Sequence, residues 1–89
     1  MISLGQVVIT QGVWQNEKIS PDEVYQAVYS RHANGDWGEV DEEDWSLNDF
    51  NAKNGGSILS AYTSKGGVKF WVITEADRSA TTVLLPDEY

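Results

Sequence analysis

Three runs in the last third of the chain, 57–64 (SILSAYTS), 68–75 (VKFWVITE) and 81–85 (TTVLL), are dense in β-branched and aromatic residues. Such residues fit a pleated, half-buried surface. The pattern predicts an antiparallel meander of three strands. Lys65-Gly66-Gly67 closes the first connection tightly, and the longer turn 76–80 (ADRSA) makes the second. The run 6–10 (QVVIT) predicts a fourth strand, and Pro86 ends the last one. The middle strand is apolar on both faces, with Phe70 and Val72 on one and Trp71 and Ile73 on the other. Helices can cover one face. The second must be covered by other parts, shared with a second copy in a homodimer, or left exposed.

Between the first strand and the meander the rhythm becomes helical. Ser20-Pro21-Asp22-Glu23 is a helix start: Ser20 can cap, Pro21 suits the first helical position, and Glu23 completes a capping box. The helix runs to about Ala33 and stops at Asn34-Gly35, which tolerate positive φ. At 100° per residue, Val24, Tyr25, Val28, Tyr29 and His32 share the face expected to meet the core. A second helix is predicted from about Asp41 to Asn54-Gly55-Gly56, with acids crowding its first turn, where the helix dipole favours them. Its projection sets Val40, Leu47 and Phe50 toward the core. Asp41, Asp44, Trp45, Asn48 and Asp49 fall on the solvent side. In segment 11–18, Val13 and Trp14 are expected to tuck under the core from a turn or short helix. The pattern as a whole predicts an α+β fold: an antiparallel sheet of three to four strands with two main helices packed on one face.

The chain has 89 residues, enough for one domain spanning 1–89 with a modest core. A net charge of −8, with six basic residues scattered along the sequence, disfavours direct binding to a phosphate backbone. It favours basic protein surfaces as partners. The absence of cysteine excludes disulfides and thiol chemistry. The N-terminal residues lack the basic start and apolar run of a signal peptide. No apolar stretch reaches the ~20 residues of a membrane span. The expectation is a cytoplasmic protein that engages no membrane.

Half of the acidic residues, seven of 14, lie between Asp36 and Asp49, with no basic residue among them and with Trp37 and Trp45 interleaved. Consecutive acids at Glu39 and Asp41–Asp44 lack the alternating oxygens and central glycine of a calcium loop, so no metal site is expected. If helical, at ~1.5 Å rise per residue, seven acids over this stretch give about half the charge density of DNA. One protomer is then a weak nucleic-acid mimic, and two joined helices would be a better one. Trp45 with Asp41, Glu42, Asp44 and Asp49 around it has the composition of a docking surface, an aromatic anchor in a charged ring. Trp37, between Gly35 and Gly38, reads as a plug that holds its loop to the core.

A second reading stays open. Arg31, His32, Asp36, Asp77 and Arg78 could form a catalytic or anion-binding cluster if the fold brought them together. His32 is the only histidine, and the structural alternative has it donating to a backbone carbonyl or a carboxylate. Asp77 and Arg78 also suit a turn network, with Asp77 accepting from backbone amides and Arg78 pairing with Glu75. No phosphate loop, nucleophile elbow or zinc-protease motif is present, and no cofactor is expected.

Several strings together resemble a family of small acidic bacterial proteins carried by plasmids, phages and integrated elements. They are R-H-x-x-G-D-W-G at 31–38, Ile58-Leu59-Ser60-Ala61-Tyr62, and T-E-A-D-R-S-x-T-T-x-L-L-P-x-E-Y at 74–89. The resemblance covers about residues 20–89, and segment 11–19 matches least well. It implies no activity, cofactor or catalytic residue. It points to conflict between mobile element and host, and so to a nucleic-acid-binding defence protein as the partner. The expected function is non-enzymatic binding, with the small enzyme or ligand binder and the homo-oligomeric domain as alternatives.

Overall fold

The computed structural model describes residues 1–89. Four strands, β1 (Gln6–Ile9), β2 (Ile58–Thr63), β3 (Lys69–Thr74) and β4 (Ala80–Leu84), form one sheet in the order β1-β4-β3-β2. The meander β2–β3–β4 is antiparallel, as its turns predict. β1 corrects the expectation of a wholly antiparallel sheet: it runs parallel to β4, with Gln6 beside Ala80 and Ile9 beside Val83. Every α-helix and two other strands lie between β1 and β4 in sequence. No hairpin therefore fixes their relative direction, and a connection this long permits the parallel arrangement.

Thr10 caps a single turn, α1 (Gln11–Trp14), its hydroxyl accepting from the Val13 amide. Val13 is buried, but Trp14 is 65 % exposed, which corrects its expected place under the core. One turn of helix can send only one of two adjacent side chains inward. α2 (Pro21–Tyr25) starts as its sequence predicts. The Glu23 amide donates to Ser20 Oγ and the Ser20 amide donates to the Glu23 carboxylate. The other Glu23 oxygen accepts from the Lys65 amide at 2.7 Å, tying the helix start to the β2–β3 turn. This backbone bond is the main reason the Glu23 carboxyl sits below its ordinary pKa.

Beyond Tyr25 the helix widens into π geometry over Gln26–Arg31, then tightens to a 3₁₀ turn at His32–Asn34 that ends on Gly35 at φ 87°. A wider turn keeps side chains four apart in line. Val24, Val28 and His32 therefore all point at the sheet, with Ala27 beside them. Tyr25 and Tyr29 stay off that line, their rings tilted against each other with centres 4.7 Å apart and both exposed, which corrects their expected place on the core face. Val13, Ile19, Val24, Ala27 and Val28 pack on Tyr62, Phe70, Val72 and Val83 from the sheet. Full burial of each large apolar side chain contributes about 1.5–3 kcal/mol. Trp71 and Ile73, on the opposite sheet face, are only half-buried.

α3 (Glu42–Asn54) is capped by Asp41, whose carboxylate accepts from the Asp44 amide at 2.8 Å, and it ends at Gly55. It packs against β2, the edge strand. Its orientation reverses the expected one. Asn48 is the buried residue and Trp45 is half-buried, while Leu47 and Phe50 are 54 % and 61 % exposed. Hydrogen bonding explains the reversal. An edge strand carries unpaired amides and carbonyls, and Asn48 satisfies both groups of Leu59: its Nδ2 donates to Leu59 O at 2.8 Å and its Oδ1 accepts from Leu59 N at 3.3 Å. Two residues further along, the Ala61 amide donates to Trp37 O and the Glu39 amide donates to Ala61 O. A Cβ on Gly38 would lie 2.0 Å from Ala61 O, so only glycine permits this approach. The β2 edge is thus closed by a side-chain amide and a short stretch of loop backbone.

Candidate interaction surface

The five residues of the candidate cluster do not converge. His32 is fully buried. Its Nδ1 lies 2.6 Å from Ser60 Oγ and its Nε2 lies 2.8 Å from Thr74 Oγ1, so hydroxyls replace the expected carbonyl or carboxylate. The chain continues from Thr74 Oγ1 to Thr81 Oγ1 at 2.8 Å, and Thr81 donates to Leu4 O at 2.7 Å. Its direction is therefore fixed. The Thr81 proton is committed to Leu4, so Thr74 donates to Thr81, His32 Nε2–H donates to Thr74, and Ser60 donates to Nδ1. The imidazole is neutral: burial pushes it down to about 4. Trp37 stands edge-on to the ring at 5.6 Å. A Ser–His pair sealed in this way has no route to a substrate.

Arg31 and Asp36 meet outside this core. The guanidinium donates to both Asp36 oxygens, at 2.8 and 3.4 Å, and lies 4.6 Å above the Tyr62 ring centre. Each partner is nearly half exposed, so the pair adds less than about 1 kcal/mol. The Arg31 guanidinium holds the Asp36 carboxyl below its ordinary pKa. Tyr62 donates to the Asp36 carbonyl at 2.6 Å, and burial pushes its phenol up to about 12. Asp77 lies in the β3–β4 turn, where its carboxylate accepts from the Ser79 hydroxyl and amide, which lower its pKa. Arg78 is committed elsewhere. It donates to Gly56 O and Asn51 O at 2.7 Å, and to Glu75 O and Ala76 O at 3.1 and 3.2 Å. Those bonds join the end of α3 to the β3–β4 turn, so Arg78 meets the Glu75 backbone rather than its carboxylate. The groove beside Arg31, about 170 Å³, is lined by Glu23, Tyr62 and Lys65, and His32, Asp77 and Arg78 are absent from it.

The acidic stretch is divided by what its members touch. Asp41 caps α3. Asp49 Oδ1 accepts from Trp37 Nε1 at 2.9 Å, which satisfies the one polar atom of the buried plug. Trp45 lies on the side of α3 that carries buried Asn48. Glu42, Glu43 and Asp44 are exposed. On the outer side of α3, Glu43, Leu47 and Phe50 follow one another at helical spacing, with Asp44 on one flank and Glu42 and Asp49 on the other. No group of three His, Asp or Glu side chains is placed to hold a metal ion. No helix is long and apolar enough to cross a membrane.

Leu47 and Phe50 are the surface residues the sequence reading missed. Apolar periodicity assigns them to the core. The available signal was Asn48, a residue able to cover an edge strand, but its partner Leu59 is eleven positions away. A second exposed apolar group, Trp14, Tyr25 and Tyr29, stands beside β1 at the opposite edge of the sheet. Comparison of the chain with protein-family models, with curated proteins and with solved structures finds no match.

Proposed function

We propose that this chain is a small acidic binding protein of the cytoplasm that docks the outer side of α3 on a basic protein surface. The exposure of Leu47 and Phe50 within a ring of Glu42, Glu43, Asp44 and Asp49 carries the reading. Two apolar side chains in line supply desolvated contact area, and the surrounding carboxylates select a basic partner and speed encounter. The anchor therefore moves from Trp45 to Leu47 and Phe50; Glu42, Asp44 and Asp49 keep their role, Glu43 joins them, and Asp41 serves as the α3 cap instead. The sequence resemblance to proteins of plasmids and phages supports a nucleic-acid-binding defence protein as the target, whose DNA-facing surface is basic by necessity.

The test measures binding to a panel of purified restriction and other defence nucleases. Wild type is compared with a Leu47→Ser, Phe50→Ser double variant and with a Glu42→Gln, Glu43→Gln, Asp44→Asn triple variant. The expected result is loss of binding in the first and weakened, salt-insensitive binding in the second. Equal affinity across all three proteins would sink the proposal.

A further inference from the structure

The two edges of the sheet are treated differently. β2 is sealed by Asn48 and by the backbone of Trp37 and Glu39. β1 is not. The Gln6 amide donates to Ser79 O and the Thr10 amide to Val83 O, both at 3.0 Å and both inward to β4. Alternation along a parallel strand then turns the amides and carbonyls of Val7 and Ile9 outward. β1 is the terminal strand, and no other strand meets them there. Nor does β1 carry the usual protections of an open edge, a lysine, a proline or a bulge. Its helix-side neighbours form an apolar groove of about 330 Å³ lined by Val7, Ile9, Trp14, Pro21, Tyr25 and Tyr29. Val8, on the other sheet face, is 41 % exposed.

We infer that two copies of this chain pair through β1, antiparallel, about a twofold axis at Val8. In this register Val7 of each copy faces Ile9 of the other, and each such pair exchanges two backbone hydrogen bonds. Val8 meets Val8 of the second copy across the axis. The outward groups of β1 are thereby satisfied by their own symmetry mates, as an isologous interface requires.

Charge selects a second copy as the occupant. The chain carries −8 overall, yet residues 1–16 contain no charged side chain at all. β1 also lies at the opposite edge from α3, so a dimer joined there holds the two acidic surfaces at its far ends. The carboxylate beside the strand, Glu88, is occupied by the Thr10 hydroxyl and the Leu85 amide, and Thr10 would face neutral Gln6 across the seam.

Sedimentation equilibrium over a wide concentration range, with the full chain, tests the inference. The expected limiting mass is twice 9.9 kDa. Val8→Lys sets two lysines face to face and should weaken self-association by at least about tenfold, and Val8→Glu should do the same. Mixing the two variants should restore a dimer, because lysine then faces glutamate. In wild type, hydrogen exchange should show the Val7 and Ile9 amides protected at high concentration and unprotected on dilution. This readout needs no variant and stands even where a variant misfolds. A monomer at every concentration, a dimer unaffected by either Val8 variant, or fast exchange at Val7 and Ile9 within a dimer would each overturn the β1 pairing.

Discussion

Ser60 Oγ donates to His32 Nδ1 across 2.6 Å in the fully buried centre of the molecule. Two residues with the chemistry of a nucleophile and its base are here structural. They begin a one-way line of hydrogen bonds through Thr74 and Thr81 that ends on the Leu4 carbonyl. The line links the end of the α2 segment, three strands and the N-terminal stretch, and it works only while the imidazole is neutral. A protonated ring would donate from both nitrogens and would force the Ser60 hydroxyl to turn.

Stability should therefore depend on pH through His32. The folded ring titrates at about 4, against an unfolded value near 6.5. Between these values the unfolded chain binds the extra proton. The stabilisation is full above about 6.5 and is lost as pH falls toward 4, by on the order of 3 kcal/mol. Urea melts from neutral pH down to 4.5 should show the decline, and His32→Gln should flatten it. Because His32 is the only histidine, a single nitrogen-detected NMR titration identifies the Nε2–H form and its low pKa.

Asn48→Ala should cost about 2–3 kcal/mol, because it strips partners from the amide and the carbonyl of Leu59 together. Asn48→Asp keeps an acceptor for the amide but sets a carboxylate against the Leu59 carbonyl, so it should be at least as damaging. Chemical denaturation measures both. Opening the β2 edge should also raise the aggregation rate on standing.

On the same helix, Leu47→Ala and Phe50→Ala should each change stability by less than about 0.5 kcal/mol, since both side chains are largely in water. A loss of about 2 kcal/mol or more at either site would show that they are core residues after all.

Arg78 offers a test of backbone strain against hydrogen bonding. It is the one non-glycine residue at positive φ, 63°, and its guanidinium serves four carbonyls. Arg78→Ala should lose about 2 kcal/mol, as charged donors leave carbonyls at the α3 end unserved. Arg78→Gly should recover about 1 kcal/mol of that by relieving the left-handed backbone. Thermal melts of the two variants side by side read the difference.

The elements were legible in the sequence because their signals are local. The capping box at Ser20 and Glu23, the stop at Gly35, the acid-rich start of α3 near Asp41 and the alternation around Phe70–Ile73 each act within a few residues. The burial of Trp37 was legible as well, from the glycines on either side of it. Such features follow from backbone propensity and side-chain period, which a chain carries wherever it folds. The tertiary structure alone decided which side of α3 faces inward, which way β1 runs, and what His32 touches. Each of those outcomes depends on hydrogen-bonding groups far apart in sequence: Asn48 with Leu59, β1 with β4, His32 with Ser60 and Thr74. An unpaired amide or carbonyl costs more in the interior than an exposed leucine costs at the surface. Polar satisfaction therefore overrode apolar periodicity in α3, and it left Leu47 and Phe50 facing outward among the acids.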